Sequence, residues 1–170
     1  MIPLEIERKF LIRRTASIEE HASHRIDIIQ TYLVKTDEDI QRRVRKISVN
    51  GDISYTYTEK RFVSPSVREE NERVINEKEY LSFLCETDNE LQPVEKSRFI
   101  LPYRSQRFEI DVYPFSDEFA TLELELASED QDIYLPPFLD IIKEVTGDHS
   151  YSNAVLAKNK RFPEITPTRG

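Results

Sequence analysis

Full charges and large apolar side chains alternate residue by residue through much of this chain, and few architectures satisfy that pattern. Side chains two apart lie on one face of a strand. Glu5, Glu7 and Lys9 therefore share a face, while Leu4, Ile6 and Phe10 share the other, with Arg8 among them. Arg43 falls with Arg45, and Arg68 with Glu70 and Glu72. Lys96 falls with Arg98, Glu109 with Asp111, and Glu123 with Glu125. Opposite the last two pairs run Phe108, Ile110 and Val112, and Leu122, Leu124 and Leu126. This spacing predicts strands over roughly residues 3–12, 27–35, 40–49, 52–61, 67–75, 93–101, 106–114 and 120–128. Asn50-Gly51-Asp52 is a strong hairpin signal between the third and fourth.

Strands that follow one another through short turns read as an antiparallel sheet, and eight are enough to close a barrel. Helical spacing is expected over about 76–88, with Tyr80, Leu81, Phe83 and Leu84, and over about 137–145, with Phe138, Ile141, Ile142 and Val145 on one face. A short apolar segment at 151–158 precedes a polar tail. The expected fold class is α+β, mainly β: an eight-stranded closed antiparallel barrel with a charged lumen and helices packed outside. Residues 1–158 form one domain in this reading, and 159–170 the tail. The three glycines leave no Gly-rich phosphate loop.

Alternation alone also fits a half-exposed sheet with its charged face in water. Two features favour a closed lumen. Solvated strand faces usually mix Thr, Ser, Lys and Gln, whereas nearly every position on these faces is a full charge. The charges are also sorted, acids doubled on some strands and bases on others, although like charges two apart repel. Turned inward, the acids are Glu5, Glu7, Glu70, Glu72, Glu109, Asp111, Glu123 and Glu125, and the bases Lys9, Arg43, Arg45, Lys60, Arg68, Lys96 and Arg98. Such a lumen must hold water, metal and a multiply charged anion, because an unpaired buried charge costs several kcal/mol or more. Clustered carboxylates suit hard divalent cations, Mg²⁺ above all. Clustered Arg and Lys suit phosphate oxygens. A net charge of -8 and a pI near 5.0 argue against nucleic-acid and membrane-surface partners. The single cysteine, Cys85, permits no internal disulfide. Without an apolar signal core or a membrane-length apolar run, a cytoplasmic protein is expected.

These residues resemble the triphosphate tunnel metalloenzymes, or CYTH domains, which include inorganic triphosphatases, thiamine triphosphatases and class IV adenylyl cyclases. Glu5-Ile6-Glu7-Arg8-Lys9 resembles the family's amino-terminal ExExK. In order there follow Gln30-Thr31-Tyr32-Leu33, Arg43-Val44-Arg45, Thr58-Glu59-Lys60 and Arg68-Glu69-Glu70-Asn71-Glu72. Glu95-Lys96-Ser97-Arg98, Glu109-Ile110-Asp111-Val112-Tyr113 and Leu122-Glu123-Leu124-Glu125 continue the match, and Glu144-Val145-Thr146 with Tyr151-Ser152-Asn153 resembles its closing helix. The resemblance implies an eight-stranded tunnel around a linear triphosphate and is nearest the bacterial inorganic triphosphatase branch. It implies a hydrolase using Mg²⁺ or Mn²⁺ on a small-molecule triphosphate, as monomer or homodimer. A thiamine triphosphatase, a class IV adenylyl cyclase and a non-catalytic polyphosphate or nucleotide-binding module are the alternatives.

Within that framework Glu5, Glu7, Glu123, Glu125 and Asp111 are the expected metal ligands. Lys9, Arg43, Arg45, Lys60, Lys96, Arg98 and Arg68 are the expected phosphate contacts. Glu70, Glu72 and Glu109 support them. Tyr32 is a candidate base, since surrounding cations would favour its phenolate. His21 and His24 fall in a helical patch without metal-site character, and Cys85 is expected to be a core thiol.

Overall fold

The computed structural model describes residues 4–165. Among the described residues nine strands form: β1 (Leu4–Arg13), β2 (His24–Leu33), β3 (Gln41–Val49), β4 (Asp52–Phe62), β5 (Val67–Ile75), β6 (Val94–Tyr103), β7 (Gln106–Val112), β8 (Phe119–Leu126) and β9 (Ile141–Glu144). Helices α1 (Ala16–His21), α2 (Glu77–Leu84) and α3 (Asn153–Asn159) accompany them, with a 3₁₀ turn at His149–Tyr151. The strand order is β5-β4-β3-β2-β6-β7-β8-β1-β9, every pairing is antiparallel, and a further β5–β1 pairing closes the eight-stranded barrel. No described helix is long and apolar enough to cross a membrane.

Closure is made by a short seam. Only Leu4–Ile6 of β1 pair with β5, against Glu69, Arg68 and Val67. Farther along, the same edge of β1 takes β9, which pairs with Phe10–Ile12. Between these stretches, Glu7 N–H donates to the Ser66 carbonyl (3.0 Å) and Val145 N–H to the Lys9 carbonyl (2.8 Å). Residues 137–145, expected to be helical, are thus partly a strand. The edge of β1 above the seam offers unpaired backbone groups, and pairing them outweighs local spacing. Ile141 then joins the outer core while Ile142 packs on the opposite side, as strand alternation requires.

The apolar faces point outward and are covered. Phe10, Ile12, Phe99, Leu101, Phe108, Ile110, Leu122 and Leu124 form one buried layer under Ile18 of α1 and the segment carrying Ile133, Leu135, Phe138 and Leu139. Leu33, Val44, Tyr57 and Ile75 form another under Tyr80, Phe83 and Leu84 of α2. A capping box starts α2: Asn76 Oδ1 accepts from Glu79 N–H (2.8 Å), and Glu79 Oε1 accepts from Asn76 N–H (3.2 Å). α3 behaves differently from the expected outer helices. Leu156 and Ala157 pack with the inward-facing Leu11, Tyr32, Val94 and Tyr113, so α3 and the 3₁₀ turn plug one end of the barrel. Phe162, in the expected tail, is buried in the same cluster, and the tail from 166 onward lies outside the described residues.

Smaller expectations also change. α1 ends at His21, which stacks on Phe138 with ring centroids 3.8 Å apart, and His24 already belongs to β2. Cys85 is exposed: it follows the last residue of α2, just before the chain returns to the wall, where Thr87 bridges to Leu33 of β2.

Two tight turns contrast in their residues. Asn50 and Gly51 both have positive φ (51° and 86°), the geometry a two-residue hairpin prefers and the one Asn-Gly supplies. The β6–β7 turn demands the same of Arg104 and Ser105 (48° and 58°), which carry no glycine between them. Replacing Arg104-Ser105 by Asn-Gly should therefore stabilise the fold by about 1 kcal/mol. Thermal unfolding should show a rise of about 2–4 °C.

Candidate active site

The charged strand faces enclose a cavity of about 560 Å³. Glu5, Glu7 and Lys9 of β1 line it, with Arg43 and Arg45 of β3, Lys60 of β4, and Arg68, Glu70 and Glu72 of β5. From the other wall come Arg98 of β6, Glu109 of β7, and Glu123 and Glu125 of β8. Tyr32 of β2 faces it too. Lys96 and Asp111 share these inward faces but not the cavity surface: they are 2% and 1% exposed, in the wall behind Arg98. Lys96 Nζ donates to Asp111 Oδ2 (2.7 Å), while Arg98 Nε donates to Asp111 Oδ1 (2.8 Å) and Nη2 to Oδ2 (3.0 Å). Both carboxylate oxygens of Asp111 are thus engaged, and they fix the plane of Arg98.

The remaining charges are paired less completely. Lys60 lies between Glu5 (3.5 Å) and Glu70 (3.3 Å), and Lys9 is 3.5 Å from Glu123. Arg43 is 3.8 Å from Glu70, Arg98 is 2.8 Å from Glu109, and Arg68 pairs with Glu7 across the seam. Arg45 Nε donates to Gln30 Oε1 (2.6 Å), an uncharged partner that leaves its guanidinium charge uncompensated by direct contact. Glu5 Oε2, Glu70 Oε2 and Arg43 Nε are buried without a hydrogen-bond partner among the described residues.

Crowding of like charges out of water shows in the ionisation of both signs. Burial, with Glu123 and Glu5 adding repulsion, pushes the Glu7 carboxyl up to about 7. Burial and the neighbouring Glu5, Glu109 and Glu123 also raise Glu125. Burial would raise Glu123 as well, but Lys9 above all holds it at about 2. Among the bases, burial followed by Arg43 and Arg98 draws Arg45 down to about 9, and burial followed by Arg43 draws Lys60 down to about 8. The cavity therefore holds a group of carboxylates that an added cation would relieve, facing guanidinium groups that an added anion would relieve.

No protein-family model matches this sequence, and no curated protein does. Solved structures do. The inorganic triphosphatase NE1496 is 30% identical, with a TM-score of 0.55, over 92% of this chain and 95% of that one. The chain belongs to the triphosphate tunnel metalloenzyme family. Two more distant structures share the fold. The PH1819 protein from Pyrococcus horikoshii OT3 is 19% identical with a TM-score of 0.57, covering 74% of this chain and 80% of that one. The HpAC1 protein from Hippeastrum is 16% identical with a TM-score of 0.52, covering 73% and 80%.

Within the tunnel Tyr32 is poorly suited to accept a proton. It is 4% exposed, and burial raises its hydroxyl above the ordinary tyrosine value despite the lowering effect of Arg43 and Arg45. Its oxygen accepts a hydrogen bond from Gln30 Nε2 (3.0 Å). The cations expected to favour a phenolate are present, but desolvation wins.

The tunnel also recruits residues that strand periodicity does not reveal. Thr146, Gly147, Asp148, His149, Ser152 and Asn153 line it between β9 and α3. Gly147 has φ +75°, and a Cβ there would meet Pro65 Cβ at 2.6 Å, so this segment and the β4–β5 loop touch across the seam. A glycine between Thr146 and Asp148, in a chain with three glycines, is the one sequence signal of that contact.

Among the described residues, no group of three Asp, Glu, His or Cys side chains is already gathered to hold a metal ion. The donor chemistry nevertheless fits a hard dication. Glu5 Oε2 is buried with Lys60 at 3.5 Å and no hydrogen bond among the described residues, and Glu7 and Glu125 are raised first by burial and then by neighbouring carboxylates, a repulsion that a cation would relieve.

The Asp111 network makes a pH-dependent prediction. Burial opposes ionisation of Asp111, but Arg98 and Lys96 outweigh it and hold the carboxyl well below its usual range. A depressed carboxyl stabilises the fold above its unfolded value, about 4, and loses that contribution as pH falls below it. Asp111→Asn should cost about 3–5 kcal/mol at pH 7, since the buried Lys96 loses its carboxylate partner and Arg98 keeps only Glu109. Urea unfolding should show the gap from the parent protein narrowing at pH 3. An equal gap at both pH values would contradict the assignment.

Proposed function

We propose that this protein hydrolyses a linear triphosphate, inorganic tripolyphosphate, with Mg²⁺ or Mn²⁺ held on tunnel carboxylates. The observation that carries this reading is the pairing of two frustrated charge groups, acids and guanidinium groups, across one cavity inside the barrel. The 30% identity with an inorganic triphosphatase over nearly the full length supports it independently.

In this reading Glu5, Glu7, Glu123 and Glu125 hold the metal. Bound there, a divalent ion would neutralise phosphoryl charge and lower the pKa of a coordinated water. Arg43, Arg45, Arg98, Lys60, Arg68 and Lys9 are placed to bind phosphate oxygens. Phosphoryl transfer relies on positioning and charge stabilisation, so rigid placement of these groups is their contribution. Gln30 holds Arg45 through Nε, which leaves both terminal nitrogens available for a phosphate. Asp111 and Lys96 act from behind, fixing Arg98. Glu70 keeps Arg43 and Lys60 in place and Glu109 keeps Arg98, while Glu72 is held by the Thr58 hydroxyl (3.1 Å) and acts on Arg43 and Arg45 through its charge alone. The bound partner is a small molecule; nucleic acid and membranes are poor partners for so acidic a chain.

Tripolyphosphate, ATP, thiamine triphosphate and pyrophosphate, each with Mg²⁺ or Mn²⁺, should be compared by release of phosphate and of cyclic nucleotide. Tripolyphosphate should turn over fastest; cyclic AMP from ATP with tripolyphosphate untouched would replace the hydrolase with a cyclase. Glu123→Gln should lower turnover by about 10²-fold, with part recovered by added metal. Arg45→Ala should raise the substrate concentration needed, and added metal should not restore it.

A further inference from the structure

Asn153, the first residue of α3, stands where the plug meets the tunnel. It is half-buried and lines the cavity. Its side-chain oxygen accepts from the Tyr113 hydroxyl at 2.6 Å and from Lys96 Nζ at 3.5 Å. Tyr113 and Lys96 are 1% and 2% exposed, so both approach from the wall side. An ammonium has three donors and no acceptor. The amide atom facing Lys96 must therefore be the oxygen, because the flipped amide would set donor against donor. That fixes the orientation of the group. The side-chain nitrogen, with two hydrogens to donate, turns away from Tyr113 and Lys96 and makes no hydrogen bond among the described residues.

We infer that Asn153 is a substrate-binding residue, its amide nitrogen donating to a phosphate oxygen of the bound triphosphate and so tying the plug to the tunnel's contents. The inference rests on the triphosphate reading above. The chemistry suits the place. Arg43, Arg45 and Arg98 already repel one another in this part of the lumen. A neutral donor binds a phosphate oxygen without adding to that repulsion. The plug is otherwise attached to the tunnel by Lys9, whose Nζ donates to the Tyr151 carbonyl (2.7 Å), and by the Leu156 packing. A phosphate bridged to Asn153 adds a link that exists only in the complex, so backbone exchange in α3 should slow when substrate binds.

Asn153→Asp separates binding from architecture. An aspartate offers Tyr113 and Lys96 the same acceptor, so the wall network survives, but the donor is replaced by an anion. Tripolyphosphate affinity should be measured by calorimetry with EDTA present, so that no turnover occurs, alongside thermal unfolding and hydrogen exchange of α3. Asn153→Asp should bind tripolyphosphate about tenfold or more weakly than the parent while melting no lower. Tripolyphosphate should slow exchange in α3 of the parent and not of the variant. If the charged variant does not fold, Asn153→Ala decides the matter: it loses the donor without adding charge, and affinity should fall by about threefold or more. Affinity within twofold of the parent in a folded Asn153 variant would overturn the inference and leave the triphosphate reading standing. A parent protein that binds no tripolyphosphate, either in EDTA or with Mg²⁺, would overturn that reading, and this inference with it.

Discussion

Burial of the outer strand faces turns the charged faces inward, because each strand has one apolar side and that side is claimed by α1, α2 and the segment around Phe138. A strand cannot hide both faces from the lumen, so covering Leu122, Leu124, Phe108 and Ile110 obliges Glu123, Glu109 and their neighbours to face the axis. The cost is a lumen of like charges held partly out of water. It is offset by pairing across strands: Lys60 with Glu5 and Glu70, Lys9 with Glu123, Arg98 with Glu109 and Asp111. The Lys60–Glu5 link, together with Arg68 to Glu7, also spans the short β1–β5 seam, so ion pairs that compensate the lumen also help to close the barrel.

Compensation is graded along the axis. Toward the plug, Lys96 and Asp111 are almost fully buried and both Asp111 oxygens are hydrogen-bonded, to Lys96 and to Arg98. In the open cavity the ion pairs of Lys60, Lys9 and Arg43 run from 3.3 to 3.8 Å, and some buried oxygens and nitrogens make no hydrogen bond among the described residues. A stiff, satisfied base beneath a loosely paired cavity suits a site whose charges must exchange partners when ligand enters. Preorganised donors of this kind stabilise a reacting phosphoryl group without reorganising at the moment of reaction.

Period-two spacing made the eight barrel strands and their inward residues legible, since it reports directly which side of a strand a residue takes. It does not report depth along the axis. Lys96 and Asp111 have the right parity but lie level with the plug, where Tyr113 and α3 fill the lumen. Tyr32 also has the right parity, but its ionisation depends on burial that no local pattern shows. Residues 137–145 misled because Phe138, Ile141, Ile142 and Val145 fit helical spacing, while the deciding factor was the open edge of β1, distant in sequence. Asn153 and the Gly147–Pro65 contact belong to loops and helix ends, where no periodicity marks an inward residue.

A folded cavity that holds a triphosphate and a divalent metal together must be stabilised by both. A ligand that binds only the folded chain stabilises it by mass action, about 2.7 kcal/mol at a hundredfold excess over Kd. Thermal unfolding with tripolyphosphate, with Mg²⁺, and with both at millimolar concentration tests the claim most directly. The melting temperature should rise clearly with both, and by more than with either alone. An unchanged melting curve in the presence of both would contradict it.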